Sequence, residues 1–438
     1  MINNLYQRFN DNINNQDLML NADSFAIAVS GGSDSIALLL LAKKFANKNN
    51  KNIIALTVDH KLRENSGIEN IKVQELCKSL GIIHKSFFWD SNSIESGIEA
   101  KAREARYELM TQFCVINNIK CLLVGHTLDD RIENFFIRLS RGSGIHGLSS
   151  NNIMYFNNIA ILRPLSNIAK QELIDFLSIE KIDFSTDESN LNPKYSQRNE
   201  IRYKLESFLD SNFIDKVQYK KRIITSLNLL DQAYEIIKTQ FNDFLSKKVI
   251  ISSYGFAVIK HADISTINHH ILFYILSHLL TIIGGNLFTP KAYKIDNLIK
   301  IITLGVPNHT TLHNCCVLIR DNQIIIYKEQ NRTKYFCTME KKILVDKRFL
   351  MEIEGKIDNS YVVTNFTSED FYKIKKDFNF QYFIAKDLIG IKNILFTLPV
   401  LKTLENKLII PHINYGTSEV EFSIKISFLP QYISKFTF

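Results

Sequence analysis

Short apolar runs alternate with amphipathic stretches through the first half of the chain, and their periods separate into strand and helix. "FAIAVS" (25–30) reads as a buried strand, with a helix following from Ser33. "NIIALTVDH" (52–60) is a second strand. The helical stretch from Ser66 to Ser79 stops at Gly81, a residue that leaves a helix at little steric cost. "IIHKSFFW" (82–89), "CLLVGH" (121–126) and "IAILRPL" (159–165) are further strands. Between and after them lie the helical "GIEAKAREARYELMTQFCVINN" (97–118), a helix from about Leu128, and "AKQELIDFLSIEK" (169–181). Repeated strand–helix units predict an α/β, doubly wound parallel sheet with helices on both faces. Ligands of such sheets bind beyond the carboxyl ends of the strands.

The pattern then changes. From about 195 to 250 it is long and helical, and "HHILFYILSHLLTII" (269–283) predicts a buried helix, being too short for a membrane span of ~20 residues. After about 310 come β-like runs: "CCVLIRDNQIIIYKE", "KKILVDKRFLMEIEG", "SYVVTNF" and "EVEFSIKISFL". We therefore expect three domains: an α/β domain over 1–215, a mainly helical one over 216–335, and a small α+β one over 336–438.

Composition narrows the class. The 438 residues carry a formal charge of +8, modest per residue, which permits an anionic partner. Residues 194–222 hold eight basic side chains against four acids, a segment that reads equally as a solvated helix face or an RNA-facing stripe. None of the six cysteines forms C-x-x-C, so reduced, mostly buried thiols are expected. The first residues, "MINNLYQRFNDNINNQ", lack the apolar core of a secretory signal, and a soluble cytoplasmic protein with no membrane contact is expected.

"AVSGGSDSIALLLL" (28–41) carries the most chemistry. A strand ending at Ser30, then Gly31-Gly32, then a helix from Ser33, makes a phosphate cradle. Glycines let backbone approach an anion, and the first helical turn offers unpaired N–H groups. Ser33 and Ser35 add hydroxyls. The missing lysine argues against a Walker A loop, G-x-x-x-x-G-K-S/T. Asp34 would repel phosphates unless a cation intervened, which suits a Mg²⁺ ligand.

Ser30-Gly31-Gly32-Ser33-Asp34-Ser35 resembles the SGGxDS loop of the N-type ATP pyrophosphatases (the PP-loop superfamily), which split ATP between its α and β phosphates. Further motifs, over roughly residues 24–205, resemble the tRNA(Ile)-lysidine synthetase family. His60, Leu62 and Arg63 match H-x-L-R; Ala102, Arg103, Arg106 and Tyr107 match A-R-x-x-R-Y. Gly125, His126, Asp129, Asp130 and Glu133 match G-H-x-x-D-D-x-x-E-T, with Asn134 in place of the usual threonine. Arg141 to Gly144 match R-G-S-G; Asp187, Ser189 and Asn190 match D-x-S-N; and Arg198, Asn199, Ile201 and Arg202 match R-N-x-I-R.

The resemblance implies a ligase. ATP would adenylate O2 of the wobble cytidine in a tRNA(Ile) with the anticodon CAU; the amine of free L-lysine would then displace AMP, giving lysidine. ATP and Mg²⁺ are the implied cofactors, with a homodimer admitted. Carried over residue by residue, Asp34, Arg103, Asp130 and Glu133 are the catalytic candidates, with Asp34 and Asp130 for metal. Asp130 and Glu133, at i and i+3, share a helix face. Either could bind the lysine ammonium or accept its proton. Arg103 suits a phosphate or the lysine carboxylate. Ser30, Gly31, Gly32, Ser33, Asp34, Ser35, His60, Arg63, Gly125 and His126 are expected around ATP. Arg106, Arg141, Asp187, Asn190, Arg198, Arg202, Lys220, Lys221 and Arg222 are expected toward tRNA, as are the two later domains.

Overall fold

A computed structural model describes residues 2–14, 19, 21–59, 66–89, 98–149, 153–156, 159–185, 197–209, 216–286, 288–330, 336–355, 360–375, 379, 383–384, 386, 388–403, 405, 407–420 and 422–429. Chain contacts divide it into two compact units, Met1–Ile236 and Ile237–Thr437.

The first unit is built on a six-stranded sheet. In chain order it contains helix α1 (Ile2–Asn14), β1 (Ser24–Ala28), α2 (Ser33–Lys48), β2 (Asn52–Asp59), α3 (Ser66–Ser79), β3 (Ile83–Phe88), α4 (Ile98–Ile116) and β4 (Cys121–Leu123). These are followed by α5 (Leu128–Ser140), α6 (Ile145–Leu148), β5 (Ile153–Phe156), β6 (Ile159–Leu162), α7 (Lys170–Glu180), α8 (Gln197–Leu209) and α9 (Lys216–Lys248), whose residues from Ile237 on belong to the second unit. The strand order is β3-β2-β1-β4-β6-β5. All neighbours are parallel except β5, which pairs antiparallel with β6 at the edge.

Period-two burial places a core on each face. Phe25, Ile27, Cys121, Leu123, Ala160 and Leu162 form one cluster with residues of α1, α2, α3 and α7. The alternate residues Ala26, Leu122 and Ile161 are equally buried, and α4 packs against β4, β5 and β6. Helix α2 lies inside the first core, and its buried side chains include Ile36, Ala37, Leu38, Leu39, Leu41, Ala42, Phe45 and Ala46. That explains a helix that is apolar almost all round. A smaller cluster joins Ile132 of α5 to Ile223 and Leu227 of α9, with Leu205 of α8 packed on it.

The second unit holds β7 (Val249–Ile251), β8 (Phe256–Lys260), β9 (Asn308–Leu312), β10 (Cys315–Arg320) and β11 (Gln323–Lys328), an antiparallel sheet in the order β7-β8-β11-β10-β9. It is accompanied by α10 (His261–Ile264), α11 (His269–Gly284) and α12 (Ala292–Thr303). Helix α11 is the buried helix expected over 269–283. Beyond it, β12 (Phe336–Thr338), β13 (Lys342–Val345), β14 (Phe349–Gly355), β15 (Tyr361–Asn365), β16 (Pro399–Thr403), β17 (Leu408–Ile409) and β18 (Phe422–Phe428) form two further antiparallel sheets, β12-β15-β16-β17 and β13-β14-β18. Among the described residues no helix is long and apolar enough to cross a membrane.

Candidate active site

The sheet order reverses at β1, whose neighbours β2 and β4 run on to opposite sides. In such sheets ligands bind where the chain leaves the two strands that flank the reversal, here β1 and β4. The SGGSDS loop leaves β1 there. Gly31 has φ +89°, a conformation L side chains rarely adopt. Gly32 caps α2 with no side-chain hydrogen bond, so the first-turn N–H groups keep their pull on an anion. The loop is laced internally. The Ser30 N–H donates to Ser35 Oγ (3.1 Å), and Ser35 Oγ donates to the Gly32 carbonyl (3.0 Å). A second tie comes from the Ser185 N–H, which donates to the Gly31 carbonyl (2.9 Å).

The loop after β4 abuts it. A Cβ on Gly125 would stand 3.2 Å from the carbonyl carbon and oxygen of Asp34 and from the Ser35 nitrogen, so only glycine fits there without displacement. Thr127 caps α5 reciprocally: its N–H and Oγ1 donate to Asp130 Oδ2 (2.8 and 3.0 Å), and the Asp130 N–H donates back at 3.4 Å. The other Asp130 oxygen faces Arg198 Nη1 at 3.4 Å. Glu133 is buried and held by Arg202 Nε at 2.6 Å and Arg198 Nε at 3.5 Å, while Arg198 also donates to Asn134 (2.9 Å). Asp129 accepts from the Lys170 N–H (2.8 Å) and faces Lys220 Nζ at 3.5 Å.

Electrostatics separates the carboxyls. Burial raises Asp34 above the ordinary aspartate value; Lys170 and the Ser33 hydroxyl pull it back, while Asp130 and Asp129 push it further up. Burial opposes the ionisation of Asp130 too, yet the Arg198 guanidinium and the Thr127 hydrogen bonds hold it below the ordinary value. Burial keeps Glu133 above its ordinary value despite Arg202 and Arg198. Two acids one turn apart are thus driven in opposite directions.

A basic wall stands beside them. The Arg103 guanidinium lies 5.6 Å from the Tyr107 ring centroid, and Tyr107 packs against Phe156 of β5. Burial, together with Arg103 and Arg141, lowers Arg138; burial, Arg103 and Arg138 lower Arg163. That is the mark of crowded guanidinium charge, which an anionic partner relieves. Arg106 is exposed on α4, and Arg141 is exposed at the end of α5.

The structure thus brings together the SGGSDS loop, Gly125, His126, Asp130, Glu133, Arg198 and Arg202. Lys220 is drawn in through Asp129, whereas Lys221 and Arg222 are exposed on α9. His60, Arg63, Asp187 and Asn190 lie outside the described residues. Two residues stand outside the expected site set, although both fall in "RPLSNIAKQEL" (163–173), whose opening RPL reads as a strand exit and not a contact. Lys170, at the start of α7, reaches to 3.8 Å from Asp34, and Arg163, just after β6, donates to the His126 ring. Arg163 immediately follows β6, whereas Lys170 opens α7. The thiols carry no chemistry here: burial pushes Cys114 and Cys121 up to about 12 and Cys77 up to about 11.

A PP-loop domain model matches residues 2–209. The tRNA(Ile)-lysidine synthase of Rickettsia akari (strain Hartford) is 38% identical over 438 residues, covering 99% of each chain. The chain belongs to the tRNA(Ile)-lysidine synthase family. Similar relatives of that name occur in Rickettsia felis (37% identical, 99% of each chain) and Rickettsia prowazekii (35%, 99% of each). Among solved structures, the U34-tRNA thiolase NcsA from Methanococcus maripaludis aligns over 53% of this chain and 78% of that one, at TM-score 0.44 and 16% identity.

Proposed function

We propose that the crevice beyond β1 and β4 adenylates O2 of the wobble cytidine in an isoleucine tRNA with the anticodon CAU, and then exchanges the adenylate for L-lysine. The product is lysidine, and ATP ends as AMP and diphosphate. The observation that carries this reading is the abutment of the glycine–serine loop on the turn bearing Asp130 and Glu133. Phosphates in the loop then lie beside acids suited to an ammonium group.

In the first step the cytosine O2 attacks the α-phosphorus, the bond to the bridging oxygen breaks, and diphosphate leaves with the electron pair. The first-turn N–H groups of α2 and the loop serines donate to the phosphate oxygens. Lys170, 3.8 Å from Asp34, supplies from α7 the positive charge that the loop itself lacks. Mg²⁺ fits the donor set: Asp34 is raised by burial and further by Asp130 and Asp129, and one or two carboxylates with phosphate oxygens are what this ion takes. Asp34, with Asp130 as second carboxylate, would hold it and neutralise phosphate charge.

The second step needs a free amine, although lysine's ordinary pKa of ~10.4 makes it an ammonium ion. The opposed shifts divide the labour. Asp130, held anionic, attracts the ammonium; Glu133, held above its ordinary value, accepts the proton. The amine then attacks C2, the C2–O bond breaks, and AMP leaves. In the free protein Arg198 and Arg202 neutralise these acids, so RNA phosphates that attract the arginines would free the Asp130 oxygen facing Arg198 for the ion in the first step and for the ammonium in the second. Arg103 contacts phosphate or the lysine carboxylate, and Arg106, Arg141 and the exposed Lys221 and Arg222 face the RNA backbone. A tRNA-modifying enzyme of this kind works in the cytoplasm.

Asp34→Ala tests the reading. Diphosphate release should be abolished with tRNA affinity nearly unchanged; release at the normal rate contradicts the role of Asp34 at the phosphates.

A further inference from the structure

His126 follows β4, and Arg163 follows the adjacent parallel strand β6. The register is fixed to the strand ends by the Val124 N–H, which donates to the Leu162 carbonyl (2.9 Å). Arg163 Nε lies 3.1 Å from Nδ1 of His126. A guanidinium only donates, so Nδ1 must accept and the neutral ring carries its proton on Nε2. Among the described residues this is the only hydrogen bond of His126. Its Nε2–H is therefore available to a ligand, and Gly125 sets this turn against the backbone of Asp34 and Ser35.

We propose that Arg163 is a positioning residue that locks His126 in the Nε2–H form, making it a neutral donor to the phosphates of the nucleotide in the loop. The inference rests on the ATP-binding reading of the crevice. With the opposite tautomer, a nitrogen lone pair would face phosphate oxygens and repel them. The surroundings also disfavour a charged ring. Burial and Arg163 push His126 down to about 3; Arg103 of α4 and Arg198 of α8 add to the effect, while Asp130 of α5 opposes it.

The test is a long-range proton–nitrogen correlation spectrum of the full chain labelled with ¹⁵N-histidine, with His126 identified by the signals lost in His126→Gln. Nδ1 should be unprotonated and Nε2 protonated in the free protein at neutral pH; a ring protonated at Nδ1 overturns the proposal without any Arg163 variant. Arg163→Lys, another donor-only side chain, should keep the tautomer and most of the diphosphate-release rate. Arg163→Met, of similar length without a donor, should populate both tautomers and lose about 10- to 100-fold in rate, taking as guide the loss when the partner that orients a metal-ligating histidine is removed. The proposal fails if Arg163→Met keeps both tautomer and rate. It fails equally if Arg163→Lys keeps the tautomer yet loses as much rate as Arg163→Met. Absence of ATP-dependent diphosphate release by the wild-type protein would instead overturn the reading of the crevice, with the tautomer result unaffected.

Discussion

Gly125→Ala probes the contact on which the site is built. The added Cβ would meet three backbone atoms of Asp34 and Ser35 at 3.2 Å, where ordinary contacts begin a few tenths of an ångström further out. Neither partner yields easily. The Gly32 carbonyl accepts from the Ile36 N–H (3.0 Å), and the Gly31 carbonyl accepts from the Ser185 N–H (2.9 Å). The two loops should therefore separate by roughly 0.3–0.5 Å. Overpacking of this kind costs about 1–3 kcal/mol. For a unit of this size each kcal/mol lowers the melting temperature by about 2–4 °C. A 1 Å misplacement costs about 100-fold in rate, so a third to a half of that displacement, scaled in the logarithm, predicts a loss of about 5- to 10-fold. The assay is diphosphate release at saturating ATP, tRNA and lysine, beside a thermal melt. A variant that melts with the wild type and turns over at its rate would show that the two loops are not in rigid contact.

Three further outcomes follow from the same geometry. Glu133 has its carboxyl raised by burial, so the folded state holds that proton more tightly than the unfolded chain. Its contribution to stability is complete below the ordinary glutamate value and is lost as pH rises through the folded one. Glu133→Gln should thus gain melting temperature relative to wild type between pH 4 and pH 7 while losing lysine transfer, and a relative loss of melting temperature over that range would refute the burial account. Replacing the exposed Lys221 and Arg222 by alanine should flatten the logarithmic salt dependence of tRNA binding by about 1.5, the counterion share of two phosphate contacts; an unchanged slope makes this stretch a solvated face. Iodoacetamide at pH 8 should leave diphosphate release intact, because Cys77, Cys114 and Cys121 sit at about 11 to 12. Inactivation that tracks modification of Cys114 or Cys121 would contradict this.

The alternating units of the first half were legible because the central strands β1, β4 and β6 are short apolar runs buried on both faces, and the longer stretches between them exceed strand length. The loop from Ser30 to Ser35 and the run from Gly125 to Glu133 were legible because glycines, serines and acids crowd where an α/β sheet binds ligands. Strand β5 was not expected: it is short and lies at the antiparallel edge, with pairing set by β6 and not by its own pattern. Lys170 and Arg163 were missed because their partners lie 136 and 37 residues away in sequence, and only parallel pairing or helix docking brings them near. Arg198 and Arg202 were read toward tRNA, whereas in the free protein they neutralise Asp130 and Glu133. A local sequence pattern cannot show an ion pair made across separate helices. The five-stranded sheet between 249 and 328 lies where the helical periodicity of α11 dominated the reading of the middle region.

The central claim is tested most directly by transfer of labelled lysine. The protein is mixed with ATP, Mg²⁺, labelled L-lysine and an isoleucine tRNA transcript bearing CAU, beside a matched transcript with U at the wobble position. Label should enter only the first transcript, with one AMP and one diphosphate formed for each lysine incorporated. Label in both transcripts, or in neither while the folded protein binds the CAU transcript, would contradict the account.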